Sequence, residues 1–391
     1  MTMPTAEPRA LAADLLRGVA LCGILVVNLP FLANTIYVDP TSWRGADAWA
    51  QFVVRMAFEA KFYILFAALF GYGFHGLQAS SRLSGAAPGW RYARRLLGLL
   101  LFGVLHATCL FVGDILVSYA VLGGALWWAR DWTDARLRRT AAGALVVAVA
   151  GRALLGVGLA FDTTTTAELA VMHARALEGY RGTFVDAVGQ RLADLVAFYV
   201  FTPLFNWPTM IAAFLVGYAG ARHRVLARPG ALWRRWRRVV PWLTTLGLTG
   251  NAVYAAGIDR VTAPTAIGAL LVVEVLSAPA LSAVYVLVTC WVAHRCEATA
   301  LVRRVATAGR LSLTIYLGQA VLANALFMGW GFGLFGRLGP LVLLLLAPVL
   351  YAALVVAAGW WGARFRLGPD EWLLRSLTNW RLEPMTRRAV A

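Results

Sequence analysis

Runs of about twenty apolar residues recur along this chain, and they decide most of what it can fold into. A helix needs about 20 such residues to cross the ~30 Å hydrocarbon core of a bilayer. Apolar runs occupy 15–37, 52–77, 95–113, 115–129, 140–160, 193–221, 239–257, 264–293, 311–329 and 339–361. A membrane β-barrel would instead alternate polar and apolar residues. With 60% of its residues apolar and 14% charged, the chain lies outside the soluble range of roughly 45–50% apolar and about 25% charged. A water-soluble enzyme and a disordered chain are both excluded. The fold class is therefore all-α integral membrane, with about ten transmembrane helices in one bundle and residues 1–391 forming a single polytopic domain.

The net charge of +17 does not indicate nucleic acid, because the basic residues sit in short loops between apolar runs and so report orientation. The N-terminal segment and the loops 78–95, 130–139, 222–238, 294–310 and 362–391 hold 26 Lys and Arg, whereas the alternate loops hold 6. That alternation predicts cytoplasmic termini for a multi-pass protein of the bacterial cytoplasmic (inner) membrane, whose first partner is the lipid bilayer. Self-association is left open. One long connection, 161–192, faces outward with Asp162, Thr163 to Thr166 and His173, and a short lid helix is expected there. The first run carries Asp14 and Arg17 at its mouth and no clear small-x-small cleavage site, so it reads as an uncleaved first span. Cys22, Cys109, Cys290 and Cys296 form no Cys-x-x-Cys and support neither a disulfide framework nor a metal site. Pro203, Asn206 and Pro208 predict an interruption in the sixth span. No inverted repeat of the transporter kind is present.

Ionisable groups in hydrocarbon are costly, so each one inside a span is a candidate functional residue. Asp14 and Arg17 are three apart, and Arg55 and Glu59 four apart; each pair shares a helical face and is expected to be a structural ion pair. Tyr63 continues the second of these faces. Lys61 is the only lysine in an arginine-rich chain, and an ammonium can lose its proton where a guanidinium cannot. His106 lies deep in the third span, where a neutral imidazole can accept a proton. Asp114 is eight residues on, about 12 Å of helical rise, so no dyad with His106 is expected. Lys61 and His106 are instead expected to face one cavity near mid-membrane. Asn28, Glu274 and a ninth-span stripe of Ser312, Tyr316 and Gln319 add polar contacts. Arg17, Arg94, Arg95 and Arg310 stand at cytoplasmic helix mouths, where guanidinium forks suit phosphate; anionic headgroups would satisfy them equally well.

Several blocks carry a family resemblance. Asp14-Leu15-Leu16-Arg17-Gly18-Val19-Ala20-Leu21-Cys22-Gly23-Ile24 with Asn28, Phe58-Glu59-Ala60-Lys61-Phe62-Tyr63, Gly103-Val104-Leu105-His106-Ala107 and Gly113-Asp114-Ile115-Leu116 resemble the YeiB-like family of bacterial membrane proteins. So do Gly309-Arg310-Leu311-Ser312-Leu313-Thr314-Ile315-Tyr316 and Gly368-Pro369-Asp370-Glu371-Trp372-Leu373-Leu374-Arg375. That family is similar to a broader group of transmembrane acyltransferases, in which Asn28 here stands where acyltransferase-3 proteins carry a histidine.

The resemblance implies an acyltransferase moving an acyl group from cytoplasmic acyl-CoA, the donor, to a hydroxyl or amine on a sugar, lipid or small metabolite, without a metal. His106 would be the base, Lys61 or Asn28 would meet the developing oxyanion, and Glu59 and Asp114 would orient the acceptor. Tyr63, Tyr316, Gln319 and Glu274 would complete the acceptor site, while Arg17, Arg94, Arg95 and Arg310 would hold the donor phosphates. The alternative from another class is a transporter or flippase for a lipid-linked or acidic small molecule, using the broken sixth span and Glu274. The topology has its own test. In a variant lacking the four native cysteines, Thr164→Cys and Ser84→Cys should be labelled by an impermeant reagent from opposite sides of the membrane.

Overall fold

The structure, a computed structural model, describes residues 8–83, 87–161 and 163–386; Ser84 and Asp162 lie outside them. The described residues form sixteen α-helices and no β-strand. The first eight are α1 (Pro8–Ala33), α2 (Gly45–Ala57), α3 (Lys61–Leu83), α4 (Pro88–Cys109), α5 (Leu116–Ala129), α6 (Asp134–Leu159), α7 (Thr166–Arg181) and α8 (Phe184–Phe205). The rest are α9 (Trp207–Arg222), α10 (Pro229–Trp236), α11 (Val240–Gly257), α12 (Pro264–Arg295), α13 (Ala300–Arg310), α14 (Ser312–Phe327), α15 (Pro340–Arg364) and α16 (Pro369–Asn379). Four of them are long and apolar enough to cross a membrane: α1 over Leu11–Ala33, α6, α12 and α15.

Helix α1 runs through the centre and packs against α3, α12, α13, α14 and α15. Its residues Ala20, Leu21, Leu25 and Leu29 are fully enclosed in the main core. Gln319 donates to the Leu21 carbonyl at 2.9 Å and the Tyr351 hydroxyl to the Gly18 carbonyl at 2.6 Å, so polar side chains on α14 and α15 hold this helix in register. Helices α3 and α9 cross at backbone contact. A Cβ on Gly217 would lie 1.8 Å from the Ala68 carbonyl oxygen, and one on Gly71 would lie 2.0 Å from that of Phe214.

Two of the expected spans differ from single rods. The 52–77 run is two helices, α2 and α3, parted at Phe58–Ala60, where Ala60 takes φ +67°. The 193–221 run is parted at Asn206 into α8 and α9, at the interruption expected from Pro203 and Pro208. Most of the 161–192 connection is helical. A capping box between Thr165 and Glu168 starts α7, and the segment continues directly into α8, so it is longer and more ordered than one lid helix. The 294–310 stretch, expected to be a loop, forms α13 against α1; a Cβ on Gly309 would fall 1.8 Å from the Asp14 carbonyl oxygen.

Because backbone rather than a pliable side chain lies opposite Gly217, Gly217→Val should cost at least the ~1–3 kcal/mol typical of overpacking. A clear fall in the unfolding midpoint of the detergent-solubilised protein would register it. Gly124→Ala, with open space around its Cβ inside α5, should not lower the midpoint, since alanine is the better helix former.

Candidate functional site

The interruptions converge. Phe58 to Ala60 from the α2–α3 break, Phe111 to Ile115 from the α4–α5 turn and Asn206 from the α8–α9 break all line one internal chamber of about 330 Å³. Non-helical backbone is tolerated at membrane depth where it lines a cavity or is satisfied by protein. Asn28, Glu59, Tyr63, Asp114, Glu274 and Tyr316, expected from the sequence to be functional, all line this chamber. Arg152 and Tyr254 line it too.

The α4–α5 turn is the best-supported of the three. Helix α4 ends at Cys109, and Asn324 donates to the Leu110 carbonyl at 2.8 Å and Arg191 to that of Cys109 at 2.9 Å. The Ile115 N–H donates to the Tyr316 hydroxyl at 3.3 Å, and the Tyr199 hydroxyl to the Asp114 carbonyl at 3.4 Å. This turn overturns the expectation that His106 and Asp114 lie too far apart. Helical rise does not apply, because the chain reverses after Cys109 and brings His106 Nδ1 within 2.8 Å of Asp114 Oδ1. The second carboxylate oxygen accepts from the Val117 N–H at 2.7 Å, which fixes the group at the start of α5. Both side chains are buried.

A carboxylate can only accept, so His106 Nδ1 donates to it, and in the neutral imidazole Nε2 is then the nitrogen that keeps a lone pair. Nε2 is buried and has no hydrogen-bond partner among the described residues. The Tyr316 ring lies over the imidazole with centroids 4.9 Å apart.

Lys61 does not share a cavity wall with His106, contrary to expectation; neither residue lines the chamber. The break at Ala60 makes Lys61 the first residue of α3 and turns its ammonium back to the Arg55 carbonyl at 2.8 Å, where it caps the C-terminal end of α2. Arg55 reaches Glu59 only at 3.9 Å and makes its close contact with Asp259. Glu59 also accepts from the Tyr254 hydroxyl at 3.3 Å. Arg152 lies 3.7 Å from Glu274 and 3.4 Å from the Asn206 side-chain oxygen, while its buried Nε has no partner among the described residues. Gln319, expected at an acceptor site, is buried on α14 against α1 and does not line the chamber.

A second space of about 410 Å³ lies on the arginine-rich side, lined by Arg17, Arg91, Arg95 and Arg375 together with Glu371 and Asn379. Arg17 pairs with Asp14 at 2.6 Å. Arg94 and Arg310, expected in this mouth, are not in its wall. Arg94 donates to the Thr378 carbonyl at 3.0 Å and so pins α16, while Arg310 lies against Gly362. Sequence reasoning missed Arg91 and Arg375. Arg91 is four residues before Arg95 on one face of α4, a spacing that could have signalled the first; Arg375 depends on how α16 folds back. Ile24, Ile115 and Tyr316 line both spaces and form the partition between them.

Glu371 builds the floor of the basic space. Its carboxylate accepts from the Leu313 and Thr314 N–H groups at 2.6 and 3.2 Å and from the Thr314 hydroxyl at 2.6 Å, capping α14 from a distant helix. Burial raises its carboxyl above the ordinary value, while the bonds from Thr314 and Leu313 pull the other way. Losing a cap of this kind costs about 0.5–2 kcal/mol. Glu371→Ala should lower the unfolding midpoint accordingly, and Asp370→Ala, which removes none of these bonds, should lower it less.

Comparison with known proteins gives relatives along the whole chain. A family described as a protein of unknown function (DUF418) matches residues 220–381. The uncharacterised protein YeiB of Escherichia coli is 30% identical over 95% of this chain and 96% of its own length. The uncharacterised protein YxaH of Bacillus subtilis is 27% identical over 96% of this chain and 95% of its own. No solved structure matches.

Proposed function

We propose that this chain, which belongs to the YeiB-like (DUF418) family, is a multi-pass acyltransferase of the bacterial cytoplasmic membrane. The charge alternation supports ten spans with cytoplasmic termini. One observation carries the chemical reading: a buried His106–Asp114 pair whose outer imidazole nitrogen is left without a partner, beside a partition between a basic space and a polar chamber. A carboxylate that holds one ring nitrogen in its protonated form leaves the other as a base.

In this reading acyl-CoA enters from the arginine-rich side. Arg17, Arg91, Arg95 and Arg375 take its phosphates, and its pantetheine leads toward Ile24, Ile115 and Tyr316. An acceptor hydroxyl or amine occupies the chamber between Glu59, Arg152 and Glu274. Displacement of the Tyr316 ring exposes His106 Nε2, which takes the acceptor proton as the acceptor attacks the thioester carbon. The carbon–sulfur bond then breaks, and the thiolate leaves with the proton from His106. Tyr316 accepts from Ile115 through its oxygen, so its own O–H remains to meet the oxyanion, together with the Asn28 amide. Lys61, removed from the chamber wall, serves the fold of the α2–α3 break rather than the reaction.

The test uses purified protein with radiolabelled acetyl-CoA, read by binding and by release of free CoA. His106→Ala should abolish release while retaining binding, and Asp114→Asn should lower release by about 10²–10⁴-fold, the usual share of general base catalysis. Arg91→Gln with Arg95→Gln should weaken binding at least tenfold, or about 1.4 kcal/mol; Arg310→Gln should change it less. Wild-type protein that neither binds nor cleaves acetyl-CoA would overturn the proposal. The Arg152–Glu274 pair at the α8–α9 break would then favour the transporter reading for an acidic small molecule.

A further inference from the structure

An apolar space of about 750 Å³ shares no lining residue with the basic space or the chamber. Its walls come from α3, α6, α9 and α12, with Leu232 and Trp236 of α10 at one end. Arg138 is the one charged residue among those lining it. On α9 the wall runs from Thr209 to Gly220, about 16 Å at 1.5 Å per residue. That is roughly half the ~30 Å hydrocarbon thickness, so the groove is one leaflet deep. It opens sideways, where Val216 is 60% exposed and Ala142 is exposed.

These dimensions select the occupant. A spanning helix of a partner would need the full thickness, whereas a single lipid occupies one leaflet. The polar end of the groove carries Arg138, and α10 and the residues after it present Arg234, Arg235, Arg237 and Arg238 to solvent. Helix α10 thus turns Leu232 and Trp236 onto the groove and its arginines outward, the arrangement of a helix lying at a lipid–water interface. Asp134, the nearest acid along α6, is already taken by Arg222 at 3.1 Å and His223 at 2.6 Å. We infer that this groove binds one anionic phospholipid, with an acyl chain lying along α9 and the phosphate at Arg138 and the α10 arginines. The inference needs only the membrane location and is independent of the acyl-transfer chemistry.

The experiment strips the detergent-solubilised protein of lipid and adds back phosphatidylglycerol or phosphatidylcholine with identical chains. Bound lipid is counted by native mass spectrometry and the unfolding midpoint is followed with lipid concentration. One phosphatidylglycerol should bind and raise the midpoint, at a concentration at least tenfold lower than phosphatidylcholine requires. Arg138→Gln should remove most of that preference while leaving acetyl-CoA binding unchanged. Ala142→Trp should exclude both lipids by filling the open side; should it fail to fold, Ala283→Phe fills the opposite wall. Glycerol phosphate alone should have no effect. Equal responses to the two phospholipids, a preference untouched by Arg138→Gln and by the filling variants, or an equal response to glycerol phosphate would each overturn the assignment.

Discussion

A peptide group that leaves a helix inside an apolar bundle has no water to satisfy it, and leaving it bare costs several kcal/mol. Three of the interruptions among the described helices, at α2–α3, α4–α5 and α8–α9, meet at one wall. Each break is supplied with side chains from elsewhere. Asn324, Arg191, Tyr199 and Tyr316 serve the α4–α5 turn. The Lys61 ammonium and the Tyr285 hydroxyl, which donate to the Arg55 and Ala57 carbonyls at 2.8 and 2.7 Å, serve the α2–α3 break. Asn206 at the third break is held by Arg152. The polar residues that look out of place in an apolar chain are, in large part, these partners.

The chemistry of the candidate site grows out of the same constraint. Asp114 caps α5 and in doing so places its other oxygen on His106. Tyr316 accepts from the turn and covers the imidazole. A single set of contacts therefore satisfies the backbone and orients a base. Among the described residues, His106 Nε2 and Arg152 Nε are the exceptions in a site where most polar groups are matched, and buried polar atoms are rarely left so without a role.

The C-terminal helix shows how far apart in sequence the contributing pieces are. Glu371 caps the start of α14, and Arg375 and Asn379 join Arg17, Arg91 and Arg95 around the basic space. Arg94, which points from the same helix as Arg91 and Arg95, is spent on holding α16 in place through the Thr378 carbonyl. Arg91 does both, lining the space and donating to Asn379 of α16 at 2.8 Å.

The sequence by itself determined the all-helical class and the presence of membrane-length apolar helices, because these depend on composition and run length alone. It also located the interruption at Asn206, since proline cannot donate in a helix, and the blocks around Asp14, Glu59, His106 and Gly309 were enough to indicate the family. The break at Ala60 could not be read in the same way. Phe58-Glu59-Ala60-Lys61-Phe62 contains neither glycine nor proline, and an alanine at positive φ is costly locally. Contacts from α12, with Tyr285 bonding Ala57 and Ser282 bonding Lys61 at 2.9 Å, hold that conformation together with the Lys61 ammonium on the Arg55 carbonyl. The same holds for His106 and Asp114. Eight residues apart on a helix they would not meet, and a chain reversal whose partners come from α8 and α14 brings them together. Local pattern reports where helices can form; the positions at which they stop inside the bundle are decided by what other helices offer to the freed backbone.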